Sequence, residues 1–111
     1  MGFHYLVELR ACDAGRLERV EDVREVMLRA AADSGARIVD SAFHQFQPVG
    51  ASGVVLVRES HFSIHTWPEN HYAAADIFTC GEEMDPDAAV RTMTAGFAAR
   101  DVHVRRVARG C

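Results

Sequence analysis

The 111-residue sequence predicts an α+β domain, a two-layer sandwich in which two helices cover one face of an antiparallel sheet and the other face pairs with a second copy to give a four-layer αββα homodimer. Three observations carry that prediction. Six short stretches have the composition and length of strands. Two others repeat apolar residues at helical spacing. The third is the run Val54 to Val57, apolar at every position, which reads as a strand buried on both faces. Two helices cover only one face of a sheet, and the simplest cover for the other is the same sheet of a twofold-related copy.

The elements follow in order. Phe3 to Leu9 is short and apolar and predicts the first strand. Asp13 then offers a helix N-cap, and Leu17, Val20, Val23, Met27 and Ala30 form an apolar stripe opposite Arg16, Glu18, Arg19, Glu21, Asp22 and Arg29. Gly35 closes that helix as a C-terminal cap residue. Arg37 to Phe46 predicts a strand that ends at the turn residues Pro48 and Gly50, and Ser52 to Val57 predicts the next. Ser63 to Thr66 alternate polar and apolar side chains, as a half-buried strand does, until Pro68 stops it. Tyr72 to Cys80 is a further strand. Asp85-Pro86 pairs an N-cap with a first-turn proline ahead of Ala89, Val90, Met93 and Phe97, and Val102 to Val107 supplies the last strand.

Composition narrows the function. At 49% hydrophobic and 25% charged residues, this is a single ordinary globular domain, small enough that burial against a second copy would help it. A net charge of −4 argues against nucleic acid as a partner, and Arg100, Arg105, Arg106 and Arg109 read as a solvated edge. No apolar run approaches the ~20 residues that span a bilayer, and no signal pattern opens the chain, so the expected location is the cytoplasm without membrane attachment. Cys12, Cys80 and Cys111 are odd in number and far apart, which predicts reduced thiols. His61, His65 and His71 match no zinc spacing, and no metal is expected.

Chemistry concentrates between Arg58 and Glu69, in Arg-Glu-Ser-His-Phe-Ser-Ile-His-Thr-Trp-Pro-Glu. Together with Ser52-Gly53 before it and Phe78-Thr-Cys-Gly81 after it, this run resembles the processing and active site of the bacterial and archaeal S-adenosylmethionine decarboxylases, small self-cleaving pyruvoyl enzymes. A decarboxylase of an amino acid needs an electrophilic carbonyl to take up the electrons left on the α carbon. Pyridoxal phosphate commonly supplies it from a lysine. All twelve of the chain's Lys+Arg residues are arginine, so that route is closed.

The resemblance implies instead that the chain cleaves itself between Glu59 and Ser60. Residues 1–59 become one fragment, residues 60–111 the other, and Ser60 becomes the pyruvoyl group that takes the substrate as a Schiff base. It further implies that His65 moves the proton during processing, that Ser52 assists, and that Cys80 donates a proton to the substrate carbon. Phe46 would stack on S-adenosylmethionine, Glu69 would hold its ribose, and Trp67 lies close by. Ser60 and His65 have opposite parity, so a turn or bulge near Ser60 is expected. Gln47-Pro48-Val49-Gly50 and Asn70-His71-Tyr72 depart from the family pattern. Arginine or ornithine as substrate, or a non-catalytic partner subunit, stand as alternatives to decarboxylation of S-adenosylmethionine for spermidine synthesis.

Overall fold

In the computed structural model, which describes residues 1–81 and 83–111, the first strand β1 (Gly2–Arg10) buries Val7 and Leu9 completely and turns Leu6, Glu8 and Arg10 to the opposite face. A 3-10 turn (Ala14–Arg16) leads to α1 (Val20–Asp33), β2 (Ile38–Gln45), β3 (Ala51–Val57) and β4 (Ser60–Trp67). A second 3-10 turn (Pro68–Asn70), β5 (Tyr72–Cys80), α2 (Pro86–Gly96) and β6 (Asp101–Arg109) complete the described elements. The six strands form one antiparallel sheet in the order β2-β3-β4-β5-β1-β6. The first strand of the chain thus lies between two strands from its second half. This is the predicted two-layer α+β architecture.

The first helix starts later than the sequence predicts. Asp13 is an N-cap, but of the 3-10 turn, where its carboxylate accepts from Gly15 N–H at 3.0 Å. The cap of α1 comes from another element: Gln45 on β2 accepts from Val20 N–H through its Oε1 at 2.7 Å. Leu17 stays in the core from its place on the turn. The C-terminal end is as predicted. Gly35 has φ +84°, and Gly35 N–H and Ala36 N–H donate to the carbonyls of Ala32 and Ala31, the paired bonds that close a helix on a left-handed residue. At α2 the Asp85 carboxylate accepts from Ala88 N–H at 3.2 Å ahead of Pro86.

Both helices pack on the same face of the sheet, around Val23, Met27, Phe62, Ile64, Ile77, Met93 and Phe97, all fully buried. Gly96 lets them approach: a Cβ there would lie 2.6 Å from Val26 Cγ1. Among the described residues, none covers the other face. The run Val54 to Val57 is therefore covered on one side only within the chain, with Val55 and Val57 buried and Leu56 45% exposed, because no helix crosses beneath it. The arginines of β6 are exposed as expected, yet two of them stack on rings, Arg106 over Phe3 at 4.6 Å and Arg109 over Phe78 at 4.5 Å.

Candidate active site

β3 and β4 are joined by a two-residue turn, Arg58-Glu59, with Val57 paired to Ser60. Glu59 takes φ +66°, a left-handed conformation that costs a non-glycine residue on the order of 1–3 kcal/mol. Directly after it, half-buried Ser60 accepts a hydrogen bond through Oγ from the backbone N–H of Cys80 at 3.3 Å. Ser60 and Cys80, distant in sequence, thus meet at one end of β4 and β5. A cavity of about 440 Å³ opens beside them, with Arg37, Arg58 and Glu59 in its wall.

Five other predicted residues meet at the far end of β4. Phe46, Ser52, His65, Trp67 and Glu69 line one cleft of about 330 Å³ with Val49 and Thr66. Register explains this: Ser52 opposes His65, and a hydrogen bond joins Ser52 Oγ to His65 Nδ1 at 2.6 Å. Thr66, on the buried face, donates to Leu17 O at 2.8 Å and accepts from Ala51 N–H at 2.9 Å, which fixes the strand beneath the histidine. Trp67 stacks on Tyr72 with centroids 5.5 Å apart.

The turn at Glu59 does not bring Ser60 to the face of His65. β4 keeps its pleat, so the two residues point to opposite faces, and five steps of strand separate them by about 16 Å. The predicted residues of one chain thus fall into two groups, one at each end of β4.

Between the ends lies a polar cluster that the sequence reading missed. Asp76 accepts from Ser63 Oγ at 2.5 Å and bonds His4 Nε2 at 2.8 Å, with His61 Nε2 3.8 Å away. Burial pushes the Asp76 carboxyl up, but the hydrogen bonds from Ser63 and His4 and the charges of both histidines outweigh it and hold the group below the ordinary carboxylate range. The ligand atoms of His4, His61 and Asp76 lie within 4.8 Å of one another, close enough for a metal ion, while both Asp76 oxygens are already engaged. The available signal was a lone acid in Ala73-Ala-Ala-Asp-Ile. His65 and His71 stand apart from the cluster, His71 bonded to Cys12 O at 3.1 Å.

The cysteines correct the expectation of reduced thiols. Cys80 and Cys111 form a disulfide with their Cα atoms 6.3 Å apart, and Cys12 is a buried free thiol. β6 runs beside β1 until Arg109 opposes Gly2, and the tail then crosses Gly2 to reach Cys80. A Cβ on Gly2 would collide with Cys111 Sγ. In this form Cys80 has no S–H to donate.

The family model described as S-adenosylmethionine decarboxylase matches residues 3–110. The chain belongs to that family. Proteins named S-adenosylmethionine decarboxylase proenzyme from Moorella thermoacetica and Pyrococcus abyssi are 47% and 44% identical to it over 110 residues, covering 99% of this chain and 88% and 79% of theirs. A solved adenosylmethionine decarboxylase from Aquifex aeolicus VF5 superposes with a TM-score of 0.92 at 36% identity, over 100% of this chain and 92% of that one. The Trypanosoma brucei AdoMetDC-delta26 monomer shares the fold, with a TM-score of 0.69 at 16% identity over 92% of this chain and 44% of that one. Among S-adenosylmethionine decarboxylases, then, this chain presents its Glu59-Ser60 bond in a tight turn and its cleft residues at the opposite end of the same strand.

Proposed function

We propose that this chain is a proenzyme that cleaves itself at Glu59-Ser60 and then decarboxylates S-adenosylmethionine to S-adenosylmethioninamine, the aminopropyl donor for spermidine, in the cytoplasm. The observation that carries the reading is the turn. A serine follows a left-handed Glu59, and its hydroxyl is held by a backbone N–H of the very cysteine assigned as proton donor.

Maturation follows from those atoms. Ser60 Oγ attacks the Glu59 carbonyl carbon, the peptide C–N bond breaks, and an ester with a free amine results. A base removes the Ser60 Cα proton, the Cβ–O bond breaks, and Glu59 leaves as a carboxylate. The dehydroalanine tautomerises and water displaces ammonia. His65 is suited to the base role because Ser52 orients its ring and it faces outward. The residues fit a pyruvoyl group made from Ser60, which would supply the carbonyl that accepts the electron pair left when carbon dioxide departs. Cys80 in its thiol form would return a proton to that carbon. Phe46 and Trp67 offer flat faces to adenine and the sulfonium, and Glu69 can accept from both ribose hydroxyls. Arginine and ornithine would leave these groups idle.

The two groups of residues, read as half-sites, argue for a shared site. His65 of the same chain lies about 16 Å along the strand from Ser60, too far to reach it. A twofold-related copy laid against the bare face, with strands reversed, puts the Ser60 end of one chain over the His65 end of the other. Leu6, Leu56 and Val107 on that face are 39%, 45% and 38% exposed and supply apolar surface for the contact. Intact mass measurement tests the reading. Two fragments are expected, residues 1–59 and residues 60–111, the second lighter by one ammonia. A lasting single chain would favour the non-catalytic partner reading, and faster carbon dioxide release from arginine or ornithine would replace the substrate.

A further inference from the structure

The disulfide between Cys80 and Cys111 occupies the sulfur that the proposed reaction needs as a thiol. We infer that this pair is a reversible thiol–disulfide site through which the redox state of small thiols turns decarboxylation off and on, leaving self-cleavage unaffected. The inference rests on the assignment of Cys80 as the proton donor.

Three features bring the sulfurs together. Cys80 is the last residue of β5 and sits opposite Gly2 on β1. β6 pairs with β1 from the other side as far as Arg109, which also opposes Gly2. Two residues further on, Cys111 reaches Cys80 by crossing the one position between the strands that has no side chain, and a Cβ at Gly2 would strike its Sγ. Cys80 lines an open cavity and Cys111 is exposed, so a small reagent has access. Cys12 is buried, lies apart from the pair and keeps its proton more tightly because burial pushes its thiol up.

The exchange balances without a further reactant. The Cys111 thiolate attacks one sulfur of a low-molecular-mass disulfide such as glutathione disulfide and expels a thiolate. The Cys80 thiolate then attacks Cys111 Sγ in the mixed disulfide and expels the second. The protein loses two electrons and two protons, and the small disulfide is reduced to two thiols. A dithiol reverses both steps. Ser60, its hydroxyl held by the Cys80 backbone and not by the sulfur, is untouched by either.

The test uses the matured protein incubated with glutathione disulfide and then with dithiothreitol, with thiols mapped by alkylation and mass spectrometry and turnover of S-adenosylmethionine measured at each stage. The oxidised protein is expected to carry the Cys80–Cys111 bond and to lose turnover by about a hundredfold or more, as loss of a general acid does, and to recover on reduction. Cys111→Ser should keep its turnover throughout, and newly synthesised precursors of both proteins should self-cleave equally under oxidising and reducing conditions. Full turnover by protein shown to hold the bond overturns the inference, as does equal inhibition of Cys111→Ser. Cys80→Ala separates the two failures. If it turns over like the wild type, the donor assignment is wrong; if it is impaired while the oxidised wild type forms no bond, the donor stands and the switch does not.

Discussion

Ser60 and His65 lie on one strand at odd separation, five steps apart, and the proposed reading places them in different sites of a pair. His65→Ala is expected to slow or stop cleavage, because elimination loses its base, whereas reduced Cys80→Ala should cleave normally and turn over poorly. A denaturing gel beside a carbon dioxide assay distinguishes them. Asp76 makes a second prediction. Its folded pKa lies below the ordinary value, so its stabilising contribution is complete above the unfolded pKa of about 3.9 and is lost as pH falls through the folded one. Urea unfolding of Asp76→Asn, in an uncleavable Ser60→Ala background, should therefore depend less on pH below about pH 4. The motif residues were legible because their order along the chain is the signal. His4 with Asp76, and Cys111 with Cys80, were not, because those pairs exist only through the β1–β5 and β1–β6 registers.

At the scale of elements, strand limits were readable within a residue or two, since alternation, Pro68 and Gly35 act locally, except that β4 begins at Ser60, three residues before the alternation at Ser63. The start of α1 was not, because its cap is the side chain of Gln45, twenty-five positions later. Burial of Val54 to Val57 was half right: the pattern is that of a two-sided strand, but the second layer is absent from the chain itself. The helix pair depends on Gly96. Gly96→Ala would push a methyl onto Val26, and overpacking of this kind is expected to cost about 1–3 kcal/mol in chemical denaturation of the Ser60→Ala precursor. Unchanged stability would mean that α2 can slide along α1 without loss.

For the whole molecule, the proposed shared sites give a prediction that no single-chain enzyme meets. In a mixed dimer of Ser60→Ala and Glu69→Gln copies, one site collects both defects and the other collects neither. Each variant alone should be poor, Glu69→Gln by about tenfold to a hundredfold, since a charge-assisted hydrogen bond is worth ~1.5–3 kcal/mol. Co-expression should restore turnover through the intact site. No restoration would place Ser60 and Glu69 in the same chain's site. The position of β1 has a further consequence if the chain is cut as proposed. The fragment of residues 1–59 holds β1 and β3, and the fragment of residues 60–111 holds β4, β5 and β6, so β1 is threaded between two strands of the other fragment and β3 is zipped to β4. With no covalent link, the pieces hold together only through those ladders and the core, and reassembly becomes a bimolecular event. The Ser60→Ala precursor should regain its secondary structure from urea with little dependence on dilution, whereas the matured protein should regain structure poorly and less at lower concentration. The proposed scission would thus turn an equilibrium fold into one that persists by the slowness of its unfolding, a molecule assembled once.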